Sequence, residues 1–408
     1  MDSIDQQFGM NFRYPVHFTR GVFSAGNATL RRVLANADAH SAADLIVVAD
    51  AGVVEAHPSL VEQIQAYVRA SAGSLTLAGP VLVVPGGETV KNDPRHLEAI
   101  HRAIHDARLC RHSYVLVIGG GAVLDAAGYA AATAHRGIRL VRVPTTVLAQ
   151  DDSAVGVKNG VNGFGKKNYY GTFAPPFAVI NDLDFLSTLL DRDWRSGLSE
   201  AIKVALIKDA AFFDQIEHAA PLLVARDAAA MESVVRRSAA LHLAHIAQGG
   251  DPFELTSSRP LDFGHWAAHK LEQLSGHRLR HGEAVGIGIA LDTTYAWLKG
   301  ALPEADWRRI IEVLLVLRLA VHAPELDNHH DRPDHSGSVF SGLAEFREHL
   351  GGTLTVMLPC AVGQTFDVHD IDTSVMIRSI DVLKRIEATR STRVIDQLLA
   401  ASTSTSRT

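Results

Sequence analysis

The sequence predicts an α/β domain built on a parallel sheet, followed by a largely α-helical domain. Three observations carry this. Four short apolar, β-branched runs in the first half alternate with helical stretches. After about Asp184 strand signals become scarce and helical periodicity takes over. The length, 408 residues, suits two domains.

The strand candidates are LIVVAD (Leu45–Asp50), VLVVPGG (Val81–Gly87), YVLVIGGG (Tyr114–Gly121) and IRLVRVPTT (Ile138–Thr146). Three of them run into Gly or Thr turns, as strands do. Pro94–Ala107 and Ala122–Ala134 read as the intervening helices. Strands separated by helices make parallel sheets, and ligands in such sheets sit beyond the carboxyl ends of the strands. In the second half Trp194–Ala219, Ala228–Gln248, His265–Leu274, Glu283–Leu298 and Ala305–Leu319 read as helices, with Leu354–Leu358 the best strand. The expected domains are residues 1–184 and 185–395, with a disordered tail over 396–408. Asn328–Ser338 reads as a polar loop.

Composition narrows the function. Hydrophobic residues make up 47% and charged residues 21%, which excludes disorder of the whole chain. The net charge is −6 and no Lys/Arg block stands out, so nucleic acid is not an expected partner. The two cysteines, Cys110 and Cys360, exclude a disulfide framework and a Cys-rich zinc site. The N-terminal stretch lacks the apolar core of a secretory signal, and no apolar run is long enough for a membrane span. The expected setting is the cytoplasm.

Three segments carry chemistry. GGGAVLD (Gly119–Asp125) follows a strand and opens a helix, so a backbone turn and a helix N-terminus offer themselves to a phosphate. It departs from the G-x-G-x-x-G fingerprint at Leu124, and a plain packing turn is the alternative. PGGETVK (Pro85–Lys91) reads similarly, with Glu88 suited to ribose hydroxyls and Lys91 to an acceptor oxygen. In DFGHWAAH, His265 and His269 are four apart and share a helix face; His281 and Glu200 add further metal-ligand types. The third segment, Gln150–Gly171, gathers Asp151, Asp152, Lys158, Asn162, Lys166, Lys167 and Asn168 between glycines. Lysines and amides there suit an anionic, hydroxyl-rich ligand; a flexible polar loop is the alternative.

These residues resemble the sugar phosphate cyclases, whose best-known member is 3-dehydroquinate synthase. GGGAVLDAAGYAAATAHRGIRLVRVPTT, DDSAVGVK, GKKN, GLSEAIK, DFGHWAAH and HGEAV look like that family's motifs in the same order, from about Leu45 to Gly363. The resemblance implies a dinucleotide-binding α/β domain, a helical domain and a site in the cleft between them. It implies zinc, with Co²⁺ as a possible substitute, on Glu200, His265 and His281, and His269 beside them. It implies NAD near Asp50, Glu88, Lys91, Gly120, Gly121, Asp125, Thr145, Thr146, Lys167, Phe185, Thr188 and Leu189. Asp152, Lys158, Asn168 and Lys203 would face substrate. Arg136 looks like the family's phosphate-binding arginine from a neighbouring subunit, which implies a homodimer. The implied reaction is transient oxidation by NAD, phosphate elimination, return of the hydride, ring opening and intramolecular aldol closure. Zinc would act as Lewis acid, Lys158, Arg136, Arg347 and His349 would bind phosphate, and His269 and Lys203 would relay protons.

The departures bear on substrate. Aligning on His265 places Ala244 and Ser258 where dehydroquinate synthases hold a carboxylate with a lysine and an arginine. Arg259 and His245 are the adjacent residues able to take over. Asp262 replaces an asparagine of the usual motif. RPLDFGH and FREHLGG look more like the sedoheptulose 7-phosphate cyclases, which make valiolone-type cyclitols from a substrate without a carboxylate. Retention of His269 points to the 2-epi-valiolone synthase branch. A 3-dehydroquinate synthase, a metal-dependent polyol dehydrogenase such as glycerol dehydrogenase, and a non-catalytic binding homologue are the alternatives.

Overall fold

The computed structural model describes residues 3–35, 42–249, 251–255 and 259–390. The tail over 396–408, Ser258 and the His349 side chain lie outside the described residues. The chain divides into two compact units, one of Met1–Thr145 with Gly156–Asp184, the other of Thr146–Val155 with Phe185–Thr408. Residues 146–155, expected within the first domain, pack with the second unit.

The first unit contains β1 (Val16–Thr19), β2 (Ala43–Asp50), β3 (Leu75–Leu77), β4 (Leu82–Val84), β5 (Tyr114–Gly119), β6 (Arg139–Pro144), β7 (Lys158–Gly163), β8 (Lys166–Phe173) and β9 (Ala178–Asp182). Seven of these form one sheet in the order β1-β9-β6-β5-β2-β3, with β4 also on β2, and every pairing in it is parallel. All six residues of β5 are buried, which explains its unbroken apolar sequence. Helix Pro94–Asp106 starts at Asp93, whose side chain accepts from Arg95 N, with Pro94 in the first turn. Helix Gly121–Thr133 is rich in alanine and glycine and buries Val123, Leu124, Ala126, Ala127, Ala130 and Ala131.

One alternative reading and one sequence expectation change here. Most of the polar stretch Gln150–Gly171 is not a loop. After the short π-helical turn Ala149–Ser153, β7 and β8 pair as an antiparallel hairpin. Its lysines, asparagines and glycines carry no alternating apolar signal because most of β8 faces solvent. The expected single helix over residues 194–219 is three helices, Asp191–Ser196, Leu198–Lys208 and Ala210–Val224. The first break falls at Gly197, where only glycine fits, since a Cβ there would lie 2.6 Å from Val147 Cβ. Asp209 makes the second by capping Phe212 N at 3.1 Å.

The second unit is helical, with one antiparallel pair, β10 (Val356–Ala361) and β11 (Gln364–Val368). Helix His281–Leu298 runs through its core, buried from Ala284 to Ala296. A helix apolar on all sides carries little periodic signal, so its depth is set by the neighbours that surround it. Among the described residues no helix is long and apolar enough to cross a membrane.

Candidate active site

In the second unit the side chains converge on Glu200. It lies in helix Leu198–Lys208, fully buried, with Lys203 Nζ 2.6 Å from Oε2. That ion pair aside, neither Glu200 oxygen receives a well-aligned hydrogen bond. His281 Nε2 and His265 Nε2 lie 3.4 and 3.8 Å from Glu200 Oε1. His265, His269 and His281 each bring a ring nitrogen within 4.8 Å of the others.

The opposite ring nitrogens define the tautomers. His265 Nδ1 lies 3.0 Å from Phe263 O, an atom that only accepts. His281 Nδ1 lies 2.9 Å from the Glu272 carboxylate. Both Nδ1 atoms therefore donate, which leaves both Nε2 atoms on the Glu200 side. Burial, then the nearby Lys203 charge, lowers the His265 imidazole to about 4, so it stays neutral. Glu200 is pushed up by burial, but Lys203 and the two histidines outweigh this and hold it well below its usual value.

Asp152 adjoins this group. Its Oδ1 accepts from His242 Nδ1 at 2.9 Å and lies 3.7 Å from Lys203 Nζ. Burial raises its carboxyl, yet Lys203 and His242 hold it below the usual range. The adjacent Asp151 is fully buried with both oxygens unpartnered; burial, then Asp152 and Glu200, pushes it well up. Asp262, on the turn Pro260–Asp262, adds a negative charge near Lys203 and His265. Arg259 donates to Glu254 O at 3.3 Å and lies 3.9 Å from Glu254 Oε2. Arg347 is exposed on helix Ser341–His349. Phe185 is buried, Thr188 donates to Phe185 O at 3.2 Å, and Leu189 follows. Thr146 accepts from Ala149 N at 3.1 Å.

The first unit gathers a second polar cluster at the carboxyl ends of its strands. Asp50 closes β2, accepts from Gly52 N at 2.9 Å, and is pushed up by burial. A Cβ on Gly86 would lie 2.5 Å from Asp50 Oδ1, so only glycine permits that approach. Buried Lys91 reaches Asp125 Oδ2 at 3.0 Å and also hydrogen-bonds Asn168. Glu88 accepts from Asn162 Nδ2 at 2.8 Å and lies 3.7 Å from Lys167 Nζ. Gly120 is the N-cap of helix Gly121–Thr133 and makes no side-chain cap, so the first turn's N–H groups have no capping side chain. Thr145 follows β6, its N–H on Gly119 O at 3.0 Å and its hydroxyl buried without a partner. Lys158 opens β7 at the surface, and Arg136 is exposed in a left-handed turn.

Sequence reasoning missed His242, Glu272 and Arg142. The Arg142 guanidinium is fully buried, donating to Gly156 O at 2.8 Å, Lys158 O at 3.1 Å and Asn159 Oδ1 at 2.7 Å. It thereby anchors the start of β7. His242 and Glu272 sit on helices with ordinary amphipathic spacing, and their partners Asp152 and His281 are remote or in another helix.

A family model described as 3-dehydroquinate synthase N-terminal matches residues 81–196, and one described as 3-dehydroquinate synthase C-terminal matches residues 197–332. The 3-dehydroquinate synthase of Geobacter sp. (strain M21) is 36% identical over 69% of this chain and 81% of its own length. That of Jannaschia sp. (strain CCS1) is 34% identical over 75% of this chain and 82% of its own length. Among solved structures, ValA (2-epi-5-epi-valiolone synthase) from Streptomyces hygroscopicus subsp. jinggangensis 5008, with NAD+ and Zn²⁺ bound, is 28% identical with a TM-score of 0.82, over 94% of this chain and 99% of that one. A 2-deoxy-scyllo-inosose synthase complexed with carbaglucose-6-phosphate, NAD+ and Co²⁺ shares the fold, with a TM-score of 0.71 at 21% identity over 91% and 96% of the two chains. Glycerol dehydrogenase from Schizosaccharomyces pombe shares the fold at 15% identity and a TM-score of 0.59, over 92% and 90%. The two family models together match residues 81–332, more than half of the chain, and relatives matched over about four fifths of their own length are more than one residue in three identical; the chain therefore belongs to the 3-dehydroquinate synthase-like family of sugar phosphate cyclases.

Proposed function

We propose that this chain is an NAD- and zinc-dependent cyclase that converts sedoheptulose 7-phosphate to a valiolone-type cyclitol, 2-epi-valiolone, with loss of phosphate and intramolecular aldol closure. One observation carries the choice of substrate: where dehydroquinate synthases hold a carboxylate with a lysine and an arginine, this chain has Ala244 and Ser258. Ala244 contributes a methyl group. His245 is lowered to about 4 by burial and the nearby Lys208, His242 and Lys203, so it is neutral at pH 7. Arg259 stands at neither aligned position; it donates to Glu254 O at 3.3 Å and lies 3.9 Å from Glu254 Oε2, while its buried Nε has no partner among the described residues. A carboxylate entering a desolvated site without a cation is penalised by several kcal/mol, roughly. The likeness to ValA, a 2-epi-5-epi-valiolone synthase, supports a valiolone-type cyclase in general, and the choice of 2-epi-valiolone rests on His269 alone.

The residues fit a divalent metal. Two imidazole Nε2 atoms and a buried carboxylate face one another, and both outer ring nitrogens are held by acceptors. Glu200, His265 and His281 would hold zinc or cobalt, with His269 beside them. Bound there, the metal supplies Lewis acidity toward a substrate oxygen. Asp50, Glu88, Lys91, Gly120, Gly121, Asp125, Thr145, Thr146, Lys167, Phe185, Thr188 and Leu189 would hold NAD, which supplies reversible hydride transfer.

The chain's own groups then do the following. Lys203 keeps Glu200 and Asp152 ionised and presents an ammonium to a developing oxyanion. The Asp152–His242 pair is a proton acceptor already oriented by its hydrogen bond. Lys158, Asn168 and Arg347 bind the sugar phosphate, with Arg136 contributed by the partner in a homodimer, and His349 assists. The enzyme is read as cytoplasmic. A second reading, 3-dehydroquinate synthase, has the named curated relatives in its favour. Measuring kcat/KM with sedoheptulose 7-phosphate and with the carboxylated seven-carbon substrate separates the two. The former should be preferred by at least about 100-fold, from the roughly 3 kcal/mol carried by one unpaired buried charge. Preference for the carboxylated substrate overturns the proposal.

A further inference from the structure

Asp292 lies eleven residues beyond His281 on helix His281–Leu298, among the buried Gly288, Ile289, Leu291 and Tyr295. It is fully buried, and among the described residues no cation pairs with it. Its two oxygens accept from two donors that flank His265 in sequence. Oδ2 takes Gly264 N at 3.2 Å and Oδ1 takes Trp266 Nε1 at 2.9 Å. Gly264 adopts φ +75° at the start of helix His265–Leu274, where a Cβ would lie 2.8 Å from Ile289 N. The two helices thus meet at backbone contact beside the carboxylate. His265 Nδ1 donates to Phe263 O in the same turn, so the conformation of residues 263–266 aims that imidazole. The other helix begins with His281, whose ring centroid is 5.3 Å from that of His265.

We propose that Asp292 is a positioning residue for the metal centre: by holding both neighbours of His265 from the helix that carries His281, it fixes the spacing of the two imidazoles. This rests on the metal-ligand reading above. A carboxylate without a counter-charge is a poor choice for stability alone, since apolar packing serves a helix interface better. What it adds is direction, because two acceptors on one rigid group fix both donors at once.

The test compares the wild type, Asp292→Asn, the double variant Asp292→Leu/Trp266→Phe, and His281→Ala. The measurements are Co²⁺ affinity of the metal-free proteins, followed by visible absorption, and thermal unfolding. Asp292→Asn keeps an acceptor for one donor but sets an amide NH₂ against the other. It should weaken Co²⁺ binding by about 10- to 100-fold, the usual effect of removing an outer partner of a metal ligand. The double variant removes the carboxylate and the indole donor together and leaves only Gly264 N–H without an acceptor, so it should regain part of the stability lost in Asp292→Asn while its Co²⁺ affinity stays low. Recovery of affinity along with stability in the double variant would reduce Asp292 to a packing role and overturn the proposal, as would unchanged affinity in Asp292→Asn. If Asp292→Asn does not fold, the double variant decides alone. Full Co²⁺ binding by His281→Ala, or none by the wild type, refutes the metal-ligand reading itself and the positioning role with it.

Discussion

Replacing Lys203 with methionine removes one positive charge from the middle of the acidic group while keeping most of the stem. Lys203 Nζ is 2.6 Å from Glu200 Oε2 and 3.7 Å from Asp152 Oδ1, and its side chain is 2% exposed. At an effective dielectric constant of about 20, those separations correspond to attractions of about 6 and about 4 kcal/mol. Much of this offsets the cost of burying the ammonium, so the net loss on breaking such a group is about 3–5 kcal/mol. That loss applies to metal-free protein, where Glu200 would lose its ion pair and Asp152 would keep only His242. Zinc returns a cation to Glu200, so saturating metal should narrow the deficit by about half, roughly one buried pair restored. Urea unfolding followed by tryptophan fluorescence suits the measurement, because all four tryptophans (194, 266, 297 and 307) lie in the second unit. Transitions are recorded with a chelator and with excess zinc. A loss below about 1 kcal/mol without metal, the value typical of exposed pairs, would show that Lys203 does not hold the carboxylates. A deficit that zinc leaves unchanged would remove Glu200 from the metal.

Three further outcomes follow from the geometry. Gly121→Val should weaken NAD binding by about 10- to 100-fold by crowding the helix N-terminus, and wild-type affinity in calorimetry would displace the cofactor from that turn. Arg142→Met strands three acceptors at the start of β7. It should cost about 3 kcal/mol after allowing for the relief of burying a guanidinium, read by circular dichroism in urea; a neutral result would mean that the strand holds itself. Burial raises the Asp292 carboxyl to about 7, despite its bonds from Trp266 and Gly264. The native state then keeps a proton that the unfolded chain releases near pH 4, so this group's contribution falls as pH rises from about 4 to 7. Asp292→Asn should therefore gain on the wild type by up to about 4 kcal/mol across that window in metal-free protein, and parallel pH profiles would contradict the burial argument.

The sequence by itself determined the elements whose signal is local. Unbroken β-branched runs gave β2, β5 and β6 their place in a parallel sheet, because strands covered on both faces need no polar alternation. It also placed Ala228–Gln248 and His265–Leu274 at the residues where the structure has them. The ordered motifs identified the family, and the DFGHWAAH and HGEAV histidines do meet near Glu200. Tertiary structure decided what depends on distant partners. The hairpin of β7 and β8 exists because its strands pair with each other and Arg142 anchors its start from β6, information absent from a stretch of lysine, asparagine and glycine. Residues 194–219 break where Gly197 must pass Val147, some fifty positions away in the chain. Which of 21 histidines turn Nε2 toward Glu200 depends on Phe263 O and Glu272 occupying the other ring nitrogen. Residue type sets which chemistry is available. Burial and the remote partner set protonation and direction, and both arise only when the chain closes on itself.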